Sequence, residues 1–301
     1  MDNLNTNEKK VSLEDRLKLK KIGIMPQKQE KFFSIKFLSK AGKFHSDEVS
    51  ILLKIAKKYG DGTINLTSRL AIEISYINYK NLDKVLNEIK INNLKIGINE
   101  NSVRPITSCK GDICLNSLIN TKKLALKLEE DFLNKQILPS KFKISVSGCA
   151  NGYGKVQVND IGILPIQEFK IIKDKCILCG ICQINCIEKA LSINKEEKSI
   201  YLNENKCCYC GKCIKFCKVN AIKSKEIKFL IFIGGRLGRK SNLAQPLKIK
   251  FKENELTNII GKIINYFNEN AKKNERFASL IERIGFNNVE NEILKDVKSN
   301  F

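Results

Sequence analysis

The chain has 301 residues, 43% of them hydrophobic, with a formal net charge of +22. That length can bury two or three cores, and no apolar run is long enough to span a bilayer. The basic excess is nearly all Lys, with seven Arg among 54 basic residues. The lysines are scattered among Asp and Glu with no aromatic-interleaved basic stripe, which reads as solvated surface and argues against a nucleic-acid partner.

Residues 1–30 open polar and mixed in charge (MDNLNTNEKK) and read as an N-terminal arm, neither signal nor anchor; the reading is cytoplasmic. Residues 31–98 then carry a clear order of elements. Phe32–Phe37 has strand character. Ser46 can cap a helix whose apolar face is Val49, Leu52, Leu53, Ala56 and Tyr59, stopped by Gly60. Thr63–Leu66 and Ala71–Tyr76 read as strands, Leu82, Val85, Leu86 and Ile89 as a helical stripe, and Asn93–Ile98 as a closing strand. The order β-α-β-β-α-β is that of a ferredoxin-like unit. A second region spans 99–170 and 226–301. It holds Cys109 and Cys114, a helix from Thr121 to about Asn134, and a strand at Lys143–Val146 leading to Cys149. After a cysteine-rich interruption come a strand (Phe229–Ile233), a glycine-rich turn (Gly234, Gly235, Gly238), another strand (Leu247–Phe251) and terminal helices.

The interruption, 171–225, carries two copies of C-x2-C-x2-C-x3-C: Cys176, Cys179, Cys182, Cys186 and, 31 residues on, Cys207, Cys210, Cys213, Cys217. Lys175/Lys206, Gly180/Gly211 and Ala190/Ala221 repeat with them. This is the pattern of a bacterial two-cluster ferredoxin, in which the fourth thiolate of each run crosses to the other cube. It assigns Cys176, Cys179, Cys182 and Cys217 to one [4Fe–4S] cluster, and Cys207, Cys210, Cys213 and Cys186 to the other. Zinc sites pair their C-x2-C units differently, and disulfides need an oxidising compartment. Ile187 and Lys218 stand where Pro usually follows the fourth cysteine, and Cys208 is an extra thiol. Electrons therefore pass through this chain. Cys109, Cys114 and Cys149 lie in loop-like sequence (TSCKGDIC, SGCANGYG) and read as either a third cluster or free thiols.

VRPITSCKGDIC, LPSKFKISVSGCANGYGKVQVNDIGIL, IGGRLGRKSNLAQPL and NERFASLIERIGFNNVENEIL, with the inserted cysteine runs between them, resemble the sulfite/nitrite reductase family, and within it the C-subunit type of the anaerobic sulfite reductases. The resemblance runs from about residue 31 to the end. It implies an α+β fold: a ferredoxin-like half-domain and a sirohaem/[4Fe–4S] domain, with the two-cluster ferredoxin inserted. It implies a third [4Fe–4S] cluster on Cys109, Cys114 and Cys149, and sirohaem linked to it. It also implies that Arg69, Arg104, Lys141 and Lys143 hold and protonate anionic sulfite, with Arg69 and Arg104 also on the sirohaem carboxylates. Gly234, Gly235, Arg236 and Arg239 would line the same cleft. Two departures bear on the third cluster. Cys109 and Cys114 are one residue closer than the family's C-x5-C, and Tyr153 stands where the bridging cysteine belongs. Leu70 also replaces a common Gln. The activity implied is reduction of sulfite to sulfide, with flavin- and iron–sulfur-containing donor subunits. The alternatives are an electron-transfer protein without sirohaem catalysis and a related enzyme acting on nitrite.

Overall fold

The computed structural model describes residues 11–97, 101–295 and 297. Helix α1 (Leu13–Lys21) starts where the Ser12 hydroxyl accepts the Asp15 N–H at 3.0 Å. Strand β1 (Ile24–Pro26) follows and pairs antiparallel with β2 (Phe32–Phe37), Ile24 against Ile35. The first sheet thus begins inside the segment expected to be an arm, because Ile24 is fully buried there. Helix α2 (Ser46–Tyr59) begins at Ser46 with His45 at the cap, whose N–H donates to the Glu48 carboxylate at 2.8 Å. Strands β3 (Asn65–Leu66) and β4 (Ile72–Asn78) and helix α3 (Leu82–Ile91) complete the unit. The sheet order is β1-β2-β4-β3, and Leu52, Ile55 and Ala56 of α2 pack with Val85 and Ile89 of α3 over Phe33, Ile35 and Ile74. The expected strand at 93–98 is reduced to an antiparallel bridge, Ile96 to Phe37; Ile98 lies outside the described residues.

The second sheet is built from β5 (Thr107–Ser108), which precedes helix α4 (Thr121–Phe132), then β6 (Ile144–Val146) and β7 (Ile161–Ile171). β5, β6 and β7 pair in parallel. The sequence pattern predicts no strand at 161–171, where Pro165 interrupts it. β6 pairs β7 only through Ile163, so the missing Pro165 N–H falls beyond the end of the neighbouring strand and costs no ladder bond.

Past β7 the chain leaves the sheet through helix α5 (Ile181–Ile184), a hairpin of β8 (Leu191–Asn194) and β9 (Ser199–Leu202), and helix α6 (Lys212–Phe216). It returns as β10 (Ile222–Ile233), antiparallel to β7 from Ile222–Ile171 to Ile233–Ile161. The cysteine runs therefore occupy the tip of one long β-ribbon. Their sequence repeat is also a backbone repeat: left-handed φ recurs 31 residues apart at Leu178 and Tyr209 (55° and 49°), Gly180 and Gly211 (79° and 74°), and Lys189 and Asn220 (50° and 53°). β11 (Gln245–Pro246) ends the sheet, order β11-β10-β7-β6-β5. Of the expected strand at 247–251, Phe251 makes only a bridge to Phe229. Helices α7 (Leu256–Asn270), α8 (Phe277–Ile284) and α9 (Phe286–Leu294) close one face. Ile259, Ile260, Ile263, Ile264 and Phe267 form the buried stripe of α7. Phe142, Phe267 and Phe277 meet at ring-centroid distances of 5.2–5.5 Å in the core.

Candidate functional site

Two concentrations of chemistry flank the parallel strands. Arg104 lies three residues before β5 and Lys143 one residue before β6, while Cys109 follows β5 directly and Cys149 follows β6 by three. Cations thus stand at the N-terminal ends of these strands and cysteines at the C-terminal ends. At about 3.3 Å per residue the two groups are on the order of 15 Å apart along the strands.

Arg69, Arg104, Lys141 and Lys143 line one cavity of about 300 Å3 between the half-domain and the second domain, together with Lys36; no acid is among its described lining residues. Arg69 is held by three acceptors: its Nη1 donates to Asn159 Oδ1 at 3.1 Å, its Nη2 to Pro105 O at 2.6 Å and to Ile144 O at 3.5 Å. Its Nε is buried without a hydrogen-bond partner. Burial lowers the Arg69 pKa to about 10, with Asp160 opposing; the group stays charged at neutral pH. Burial, then the neighbouring Arg276, lowers Arg104. Lys141 and Lys143 are also lowered, first by burial and then by Arg276 and by Arg104 or Arg69. This is a cluster of crowded, partly desolvated cations, an arrangement that an incoming anion would relieve.

The residues that aim these cations were not singled out from sequence. Asp160 is fully buried; its carboxylate accepts both a bidentate contact from Arg276 Nη2 (3.0 and 2.8 Å) and the Lys143 N–H at 2.9 Å. Burial pushes the Asp160 pKa up while Arg276 opposes it. Scarcity was the usable signal for Arg276, as it was for Arg69.

Gly234, Gly235, Arg236 and Arg239 are not in the wall of this cavity. The Gly234 N–H donates to Asp160 O at 3.0 Å, and a Cβ on Gly235 would stand 2.5 Å from Asn159 O and 2.6 Å from Gln157 O. The two glycines let the turn after β10 lie against the segment that holds Arg69 and Lys143. Arg236 ties this turn to α8 through Ser279 Oγ at 2.6 Å, and Arg239 is exposed on it.

The cysteines divide into three neighbourhoods. Cys186, Cys207, Cys210 and Cys213 line one cavity of about 110 Å3, shared with Cys208, Ala150 and Asn151. Cys176, Cys182 and Cys217 pack in one small core, against which Cys213 also lies, and the charge of Cys179 reaches Cys182. Each fourth cysteine thus sits with the other run. Cys149 feels Cys109, Cys114 and also Cys210. Backbone N–H groups donate to sulfur at Cys186 and Cys217 (from Ala190 at 3.3 Å and Ala221 at 3.2 Å), at Cys207 (from Tyr209 at 3.4 Å) and at Cys109 (from Gly148 at 3.2 Å). Amides aimed at sulfur suit anionic thiolates and clusters. Burial raises the thiol pKa of Cys213 to about 12 and raises Cys182, Cys207 and Cys149 as well. Burial thus disfavours the thiolate at these positions, a cost that a neighbouring positive charge would offset. Among the described residues no three His, Cys, Asp or Glu are grouped closely enough to hold a single metal ion. Tyr153 is 80% exposed.

A cation-lined cavity and grouped cysteines thus stand on one two-sheet scaffold. Residues 99–301 match the nitrite and sulphite reductase 4Fe-4S domain and residues 25–90 the nitrite/sulfite reductase ferredoxin-like half domain, so the chain belongs to the nitrite and sulfite reductase family. It is 31% identical to the coenzyme F420-dependent sulfite reductase of Methanocaldococcus jannaschii, over 85% of this chain and 41% of that protein. It is 28% identical to the C-subunit of the anaerobic sulfite reductase of Salmonella typhimurium, over 48% of this chain and 46% of that one. The chain thus spans less than half the length of either relative. The crystal structure of dissimilatory sulfite reductase I shares the fold, with a TM-score of 0.70 at 19% identity, covering 88% of this chain and 69% of that one. Among the described residues no helix is long and apolar enough to cross a membrane.

Proposed function

We propose that the chain is the terminal subunit of an anaerobic sulfite reductase, reducing sulfite to sulfide with electrons delivered through its inserted cysteine domain. The observation that carries this reading is the convergence of Arg69, Arg104, Lys141 and Lys143 on one cavity with no acid among its described lining residues. Sirohaem, when bound, supplies the iron at which sulfite is reduced. Arg69 and Arg104 are fixed, planar donors suited to the carboxylates of that macrocycle and to sulfite oxygens. Lys141 and Lys143, with pKa values lowered by burial, are suited to give up protons as oxygen leaves as water. Cys176, Cys179, Cys182 and Cys217 would hold one [4Fe–4S] cluster, Cys186, Cys207, Cys210 and Cys213 a second, and Cys109, Cys114 and Cys149 three corners of a third. Flavin- and iron–sulfur-containing subunits in a cytoplasmic complex would be the donors.

One observation favours a second reading. With Tyr153 exposed where the family resemblance places a bridging cysteine, a third cluster would have no thiolate from this position to link it to sirohaem, which suits an electron-transfer protein without catalysis. Anaerobic purification followed by an iron count, an absorption spectrum and a sulfite assay driven by reduced methyl viologen separates the two. A chlorin-type band with sulfite consumption is the expected result. Iron for two clusters with no such band would overturn it in favour of the second reading.

A further inference from the structure

We propose that Gly42 and Leu70 are positioning residues for the cation-lined cavity: Leu70, seated on the side-chain-free Gly42, fixes the turn that aims Arg69. This rests on reading that cavity as the anion site, and adds which residues outside its wall set its geometry.

Arg69 belongs to the half-domain, but the three acceptors of its guanidinium, Asn159 Oδ1, Pro105 O and Ile144 O, belong to the second domain. Its backbone must therefore be held against that domain. Arg69 lies in a closed turn between β3 and β4. The Thr67 N–H donates to Ala71 O at 2.9 Å, the Leu70 N–H to Thr67 O at 3.1 Å, and the Ala71 N–H to Thr67 Oγ1 at 3.0 Å. Thr67, Ser68, Arg69 and Ala71 line the cavity; Leu70 does not. Leu70 is also left-handed, at φ 60°. A leucine is strained there, and such strain persists only where the surroundings fix it.

What fixes it is the loop after β2. Lys40 and Lys43 exchange backbone hydrogen bonds at 3.0 and 3.1 Å around Ala41 and Gly42, whose φ values are 49° and 85°. This is the two-residue turn that needs left-handed backbone at both central positions. A Cβ on Gly42 would stand 2.7 Å from Leu70 Cδ1 and 2.9 Å from Lys122 Nζ, so the Leu70 side chain takes the space that a side chain at 42 would fill. The loop is in turn pinned to the second domain. Ala41 is buried in that domain's core, and its carbonyl accepts the Lys122 ammonium and, at 3.4 Å, the Ser108 hydroxyl. Lys43 pairs with Asp112. Through the Leu70–Gly42 contact, the second domain holds the residue next to Arg69.

The test titrates the full chain with inorganic phosphate by calorimetry and unfolds it in urea. G42A should weaken phosphate binding about tenfold, because the new methyl displaces Leu70 and the turn with it. L70A should weaken binding about threefold, since the side chain that locks the turn is gone. In G42A/L70A nothing remains to be displaced, so the double variant should bind as L70A does, where independent effects would multiply to about thirtyfold. The control is G62A: Gly62 has a left-handed φ of 82° and nothing within 4 Å of a Cβ built on it. It should lower the urea midpoint, as G42A does, and leave phosphate affinity unchanged. Wild-type affinity in G42A, equal weakening by G62A, or multiplied losses in the double variant would each overturn this inference alone. If G42A does not fold, L70A decides, and wild-type affinity in L70A would overturn it. A wild-type chain that binds no phosphate would overturn the anion reading of the cavity, and this inference with it.

Discussion

At the scale of single residues the proposed function rests first on Arg69. Two of its nitrogens are held by backbone carbonyls and Asn159, and the third is buried with no partner. Truncation to Ala removes a fixed charge-assisted donor. It should weaken sulfite binding by about 2 kcal/mol, roughly thirtyfold, in a spectroscopic titration; R69K should recover only part of this, because a point charge cannot reproduce the planar fork. The lysines add a pH dependence whose sign follows from their lowered pKa values. The protonated form binds the anion, so affinity is full below the lowered pKa and falls as pH rises through it, earlier than for an ordinary lysine. Titrating an unreactive anion such as phosphate across alkaline pH checks this, and K141M/K143M should flatten the curve. A wild-type curve as flat as that of the double variant would remove these two lysines from the site.

At the scale of elements, the turn after β10 and the segment Asn159–Asp160 act as one support. Asp160 pairs with Arg276 from the start of α8 and receives the Lys143 N–H at the start of β6. Removing the carboxylate strands a buried guanidinium, so D160A should cost about 3 kcal/mol in denaturant unfolding. G235A places a methyl against two backbone oxygens that have little room to retreat. It should cost about 2 kcal/mol and also lower anion affinity through Asn159, although Gly235 lines no part of the cavity. A loss of stability with unchanged affinity would show that the turn supports the fold but not the site.

Across the whole molecule, the β7–β10 ribbon sets the cysteine insert against the host sheet, so that the charge of Cys210 reaches Cys149. Cys186→Ala should remove the iron of one cluster, measured by chelation and colour assay, while Cys208→Ala should remove none, although both line the same cavity. Much of this layout was legible in the chain. The 31-residue repeat reappears as matched left-handed turns, since the residues that ligate and those that permit the turn recur together. The half-domain order was readable because its helices bury regular stripes. β1 and β7 were not: a three-residue strand has too little period to detect, and Pro165 is tolerated only because β6 stops short of it.

The sequence by itself determined the cysteine spacing, its 31-residue repeat and the scarcity of Arg that marked Arg69 and Arg104, because spacing along a chain constrains close neighbours directly. Only the tertiary structure decided that four cations from three distant segments share one cavity, that Gly234 and Gly235 support that site without lining it, and that Asp160 and Arg276 stand behind it. It also decided that cations and cysteines occupy opposite ends of the same parallel strands. Such relations depend on strand direction and register, which sequence separation does not encode.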